Sequence, residues 1–148
     1  MVKVAKELEA KLKAVSERQR GTLADLMEIS FLEFSKERVV ASMEVSKKVQ
    51  QPFGLLHGGA SVVLAETLAS IGGWLQVDES KYAVVGLEIN ANHIRATRGG
   101  IVTGTATPIH LGRKTNVWEI KITNQDDALV CISRCTLAIV PLEELVGK

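Results

Sequence analysis

The sequence predicts an α+β domain in which an antiparallel β-sheet wraps around one long central hydrophobic helix, with an extra helix at the N terminus. Three observations carry that reading. The run from His57 to Val77 holds Glu66 as its sole formally charged residue. Alternating apolar positions fill the segments on either side of it. The links between the later runs are hairpin-length, which favours antiparallel pairing and a layered α+β arrangement.

Composition sets the frame for these elements. A chain of 148 residues that is 46% hydrophobic and 24% charged forms one domain, 1–148, with a core of its own. This excludes disordered and multi-domain readings. With 18 basic against 17 acidic residues the net charge is +1, so no global field exists to hold nucleic acid or an anionic membrane. At 4% aromatic residues the chain also lacks the makings of a base-stacking surface. No partner of either kind is expected.

Val4, Leu8, Leu12 and Val15 recur at helical spacing among Lys3, Lys6, Glu7, Glu9, Lys11 and Lys13, which predicts an amphipathic helix over residues 2–20 within an accessory segment, 1–22. The charges interrupt any signal-peptide-like apolar run, so a cytoplasmic location is expected. From Leu26 to Val45 a hairpin is predicted, with Val39, Ala41, Met43 and Val45 alternating after the polar corner Ser35-Lys36-Glu37-Arg38. The run His57–Val77 is long enough to suggest a membrane span. A central acid costs about 2.5–3.5 kcal/mol on insertion scales, and Gly58-Gly59 and Gly72-Gly73 break the run, so a helix buried in protein fits better. Beyond it come strand-like segments. Val85, Leu87, Ile89 and Ala91 alternate, followed by Gly100–His110, by Trp118, Ile120 and Ile122, and by Ala128–Val140, with Asn124–Asp127 as a hairpin turn. Cys131 and Cys135 share one face of the last strand and read as buried thiols, not as a disulfide or a metal site. The tail 141–148 is expected to be loosely held.

Glu66 is the most informative residue. A carboxylate isolated on a hydrophobic helix is expensive to bury ionised, and desolvation raises its pKa, which suits a nucleophile or general base. The alternative is a glutamate that faces solvent or pairs with an arginine. Ser70, one turn on, is placed to orient a water or the carboxylate. His57-Gly58-Gly59 opens the helix and presents unpaired N–H groups, the chemistry that stabilises an oxyanion. The Gln51 amide, shortly upstream, is a second donor for the same carbonyl.

Gly58 and Glu66 lie eight residues apart, about 12 Å along a straight helix. A reacting carbonyl needs both groups at roughly 3 Å. If both are catalytic, one chain does not supply both to one site, whereas two antiparallel copies related by a two-fold axis do. A homodimer is therefore expected. A second constellation lies in residues 89–118, where Arg95, Arg98, Arg113 and Lys114 occur with no acid, a formal +4 within a total of +1. With His93, His110 and Gly112 it suits a phosphorylated ligand, or is simply a solvated loop edge. Metal-ligand spacing, a Gly-x-Ser-x-Gly elbow and nucleotide glycine fingerprints are all missing from the sequence, so no metal is expected.

Gln51-Pro-Phe-Gly-Leu-Leu-His-Gly-Gly-Ala-Ser-Val-Val-Leu-Ala-Glu66, then Val85-Gly-Leu-Glu-Ile-Asn-Ala-Asn-His-Ile-Arg95 and His110-Leu-Gly112, resemble the hot-dog-fold acyl-CoA thioesterases over about residues 26–140. The branch is that of 1,4-dihydroxy-2-naphthoyl-CoA hydrolase, 4-hydroxybenzoyl-CoA thioesterase and the phenylacetate-pathway thioesterases. The resemblance implies a hot-dog fold with Glu66 as nucleophile or general base and Gly58 polarising the thioester carbonyl. It assigns assisting roles to Gln51, His57 and Ser70. It implies that each site is shared between subunits and that dimers pair into a homotetramer. Gly86, His93, Ile94, Arg95, Ala96, His110, Leu111, Gly112, Arg113, Lys114 and Thr115 would line the CoA channel. Arg113-Lys114-Thr115 departs from the branch's pattern, and residues 2–20 lie outside the resemblance.

The function expected is hydrolysis of an acyl-CoA, in particular an aroyl-CoA, with CoA as part of the substrate and no separate cofactor. The alternatives are a non-catalytic acyl-CoA-binding hot-dog module and a medium-chain acyl-CoA thioesterase. Hydratase chemistry on the same fold calls for a His paired with an acid on the central helix, and ranks last.

Overall fold

The computed structural model describes residues 1–146. Its strands are β1 (Lys3–Val4), β2 (Ser30–Phe34), β3 (Val39–Glu44), β4 (Tyr82–His93), β5 (Ile101–Leu111), β6 (Thr115–Thr123) and β7 (Leu129–Pro141). They form one sheet in the order β1-β2-β3-β5-β6-β7-β4. Neighbours are antiparallel apart from β1 and β2, which are parallel. The helices are α1 (Glu9–Arg18), α2 (Leu23–Leu26), α3 (Gly58–Leu75) and α4 (Leu142–Val146).

Helix α3 carries the chain from β3, inside the sheet, to β4 at its edge, so it crosses the strands between them and the sheet curls around it. Four glycines make it a poor helix former by propensity, and burial holds it instead. Leu64, Ala65, Leu68 and Ala69 are fully buried, a stripe at spacings of three and four. They meet Val102 and Ala106 of β5 and Trp118, Ile120 and Ile122 of β6 in one cluster. The second glycine pair is a packing device. A Cβ on Gly72 would come within 2.6 Å of the Trp118 ring, and one on Gly73 within 2.6 Å of Leu137 Cδ1. Among the described residues no helix is long and apolar enough to cross a membrane.

The hairpin expected over 26–45 forms as β2 and β3, and Val39, Ala41, Met43 and Val45 are buried. The Asn124–Asp127 turn also forms, with the Asn124 N–H donating to the Ala128 carbonyl at 3.0 Å. Cys131 and Cys135 are buried free thiols.

Three expectations need correction. The N-terminal helix does not span 2–20, because Lys3 and Val4 take the open side of β2 as a strand and α1 starts only at Glu9. The segment is part of the core, burying Leu8 and Val15. The alternation Val85, Leu87, Ile89, Ala91 does not mark one face. A β-bulge between Gly86 and Glu88 resets the parity. Val84, Ile89 and Ala91 therefore pack on the core, while Val85 and Leu87 are exposed. The tail is not loose as far as Val146. Pro141 pairs with Tyr82, the Leu142 N–H donates to the Lys81 carbonyl at 2.9 Å, and α4 follows. Residues 147–148 lie outside the described residues.

Candidate active site

Two half-sites lie along α3. At its N terminus His57 is extended (φ −68°, ψ 130°) and its Nδ1 accepts the Gly59 N–H at 2.8 Å. The His57 carbonyl takes the N–H groups of Ala60 and Ser61. Gly58 is left with an N–H that meets no acceptor among the described residues, at the positive end of an 18-residue helix. A side chain at this position would have to displace the His93 imidazole, since a Cβ there would stand 2.7 Å from His93 Nε2.

Gln51 is aimed at the same place by a tight turn. The Gly54 N–H donates to the Gln51 carbonyl at 2.9 Å, and Gly54 has a φ of 75°, a conformation that favours glycine. The Gln51 Oε1 accepts the Phe53 N–H, which leaves Nε2 as the free end of the amide. Gln51, Gly58, Ser61, His93, Ile94, Arg95 and Ala96 line one cleft of about 350 Å³. Arg98 does not join them. Its Nη1 donates to the Phe53 carbonyl at 3.3 Å, and its own carbonyl accepts from Gln50 Nε2 at 2.9 Å, which fixes the turn.

Two turns further along α3, Glu66 and Ser70 border a groove of about 380 Å³ together with Gln19, Leu23, Ala24, Val63, Thr67 and Ile71. Glu66 is half-buried, less enclosed than its apolar helix suggests. Its carboxylate lies over Gly86 of β4, where a Cβ would stand 2.8 Å from Oε1. Neither a hydrogen bond nor an ion pair engages it among the described residues. Beneath it, burial pushes the Cys135 thiol up to about 11, helped by the Glu66 and Glu88 carboxylates.

The remaining predicted residues stand elsewhere. His110, Gly112, Arg113, Lys114 and Thr115 surround the β5–β6 turn with Tyr82, Ile139, Pro141 and Glu144, in a cleft of about 750 Å³. Leu111 is half-exposed beside it. The basic segment therefore does not form one patch in a single chain, because the whole length of β5 separates Arg95 from Arg113 and Lys114. His57 borders a further cleft of about 370 Å³ with Leu23, Leu26, Met27, Ala60 and Val63. The contributions of Gln19, Leu23 and Met27 were not foreseen. Leu23 and Met27 follow the predicted helix, and a single polar residue near a helix end carries no sequence signal.

Along α3, Gly58 and Glu66 stand about 12 Å apart, so no atom of a substrate touches both within one chain. Strand β4 runs antiparallel to α3 and marks both groups, with His93 against Gly58 and Gly86 against Glu66.

Residues 53–131 match the model of the thioesterase superfamily. A putative esterase of Pseudomonas aeruginosa is 50% identical over 136 residues, 92% of this chain and 94% of the relative. A 1,4-dihydroxy-2-naphthoyl-CoA hydrolase of Listeria monocytogenes is 50% identical over 117 residues, 79% of this chain and 94% of the relative. The crystal structure of a mutant thioesterase from Pseudomonas aeruginosa superposes with a TM-score of 0.85 at 50% identity, covering 88% of this chain and 94% of that one.

Proposed function

The chain belongs to the thioesterase superfamily, and from that membership we propose that it hydrolyses acyl-CoA thioesters, aroyl-CoAs in particular, at two equivalent sites of a homodimer. The observation that carries this reading is the shared marking of β4. An isologous pairing of β4 with its copy must set inward-facing residues opposite inward-facing residues. A two-fold axis at Asn90 does so, setting Ile89 opposite the partner's Ala91, and the bulge then brings Gly86 opposite the partner's His93. Glu66 thereby reaches the partner subunit's Gly58.

The thioester carbonyl oxygen accepts from the Gly58 N–H and from Gln51 Nε2 of one subunit, donors preorganised by the helix end and the turn. Glu66 of the other subunit either attacks the carbonyl carbon or takes a proton from a water held by Ser70. The carbon–sulfur bond then breaks, and CoA leaves as thiolate by the first route, protonated from the water consumed next, and as thiol by the second, with the proton that Glu66 took from water. By the first route water next cleaves the acyl-glutamate anhydride; by both, one water yields one acid and one CoA. The CoA phosphates suit Arg95 from one side and Arg113 and Lys114 from the other. CoA enters as part of the substrate and no other cofactor is invoked. A dimer of dimers and a cytoplasmic location belong to the same reading, the latter supported by two unpaired thiols.

Glu66→Gln is expected to lower kcat by about a thousandfold while the dimer persists in sedimentation. Unchanged turnover would defeat the proposal. A thiol-release screen of aromatic against straight-chain acyl-CoAs assigns the acyl class.

A further inference from the structure

We propose that Tyr82 and Glu144 make the cleft at the β5–β6 turn an adenine pocket, in which the Tyr82 ring stacks on the base and the Glu144 carboxylate accepts from its exocyclic amino group. Both are thereby specificity-determining residues for the carrier half of the substrate. The inference rests on the acyl-CoA reading above, which takes the CoA phosphates to Arg113 and Lys114 in this same cleft, and it adds a place for the base. Glu144 lies outside the matched family segment, 53–131.

Backbone bonds fix the walls of the cleft. The Gly112 N–H donates to the Thr115 carbonyl at 2.9 Å, which closes the turn, and the Ile139 N–H donates to the Lys114 carbonyl at 2.8 Å, which ties the turn to β7. The bond from the Leu142 N–H to the Lys81 carbonyl sets α4 against the start of β4. Between them the cleft of about 750 Å³ has the capacity of a small-molecule site. Its lining divides by chemistry. Tyr82, the only tyrosine of the chain and 40% exposed, pairs with Pro141 across β4 and β7 and shares the cleft with Ile139. Arg113 and Lys114 supply positive charge, and Glu144 is the one acid among the described lining residues. Among the described residues no ion pair joins Glu144 to either cation, so all three charges stand open to a ligand. A bare phosphate is repelled by Glu144, and an apolar chain uses none of the three. An adenine nucleotide uses them all. Its phosphates meet the cations, its π-face meets the Tyr82 ring, and its amino group supplies the donors that a carboxylate takes.

The test titrates two ligands calorimetrically into the wild type, Tyr82→Leu, Tyr82→Phe and Glu144→Ala. One is adenosine 3′,5′-bisphosphate, the nucleotide end of CoA. The other is its etheno derivative, in which a bridge from the ring to the exocyclic nitrogen removes both amino hydrogens and keeps the stacking face. The wild type is expected to bind the parent about fivefold tighter than the etheno derivative, and Glu144→Ala abolishes that preference. Tyr82→Leu weakens both ligands by about tenfold, whereas Tyr82→Phe holds both within about twofold. Equal binding of the two ligands by the wild type, an unchanged preference in Glu144→Ala, an unchanged affinity in Tyr82→Leu, or binding of neither ligand overturns the proposal. Turnover is scored separately, with one acyl group carried on CoA and on pantetheine. Tyr82→Leu is expected to raise KM about tenfold for the CoA thioester alone, with kcat held. Hydrolysis of the CoA thioester without the nucleotide pattern sinks the adenine pocket alone. The nucleotide pattern without hydrolysis of any acyl-CoA in the thiol-release screen sinks the thioesterase reading alone.

Discussion

At one edge of the sheet β1 is two residues long and flanked by Lys3, Glu33 and Arg38, which form a chain of ion pairs. At the other edge β4 offers 12 residues with Glu88 as its only formally charged side chain. Unpaired strand edges invite association, and natural proteins blunt them with short strands and charges unless pairing is wanted. The β1 edge is closed in that manner. The β4 edge is long and only sparsely charged, and it carries both marks of the candidate site. On the proposed homodimer reading the second half of the site lies beyond β4, and β1 protects the fold.

Proline on the β4 edge breaks the comparison most directly. Asn90→Pro, at the proposed two-fold axis, is expected to yield monomers in equilibrium sedimentation and to lower kcat/KM by about two orders of magnitude or more, since the half-sites no longer meet. A dimer with normal turnover would show that β4 is not the interface. Gly86→Ala sharpens the same point with the dimer intact. Its methyl would stand 2.8 Å from Glu66 Oε1, so the carboxylate shifts and kcat falls by about tenfold with little change in KM. A kcat within twofold of the wild type would show that Gly86 does not seat Glu66.

The smallest effect belongs to the closed edge. Arg38 above all, with Lys3 behind it, holds the Glu33 carboxyl below its ordinary range. A lowered folded-state value means stability that is present above the unfolded pKa and lost as pH falls through the folded one. Glu33→Gln should therefore cost under about 1 kcal/mol at neutral pH, a deficit that closes on acidification, with dimer and turnover untouched. A deficit in thermal unfolding that persists or grows at acid pH would contradict the assignment.

Much of this was legible in the residues. The single charge in His57–Val77 announced both the buried helix and the group on it, and the eight-residue spacing of Gly58 and Glu66 already put the two groups too far apart on one helix to meet at one carbonyl. What escaped had physical reasons. The Val85-to-Ala91 alternation looks continuous, yet a Cβ-free residue is needed beneath Glu66, and the bulge that follows it shifts every later side chain to the other face. Val4 keeps helical spacing, but the free side of β2 captures it first. The basic run reads as one patch because sequence distance does not show that β5 carries its two ends apart, or that Arg98 is engaged by the Phe53 carbonyl.

The two thiols on β7 bear on how the protein tolerates its own product. Hydrolysis of an acyl-CoA releases a free thiol, and CoA in turn forms disulfides that exchange with any accessible protein thiolate. Cys131 and Cys135 are fully buried, and Cys135 stays protonated until about pH 11, so neither is available as an attacking thiolate at neutral pH. The protein thus resists becoming a mixed disulfide with CoA under oxidising conditions. A chromogenic disulfide added to its assay counts released CoA and nothing from the folded protein.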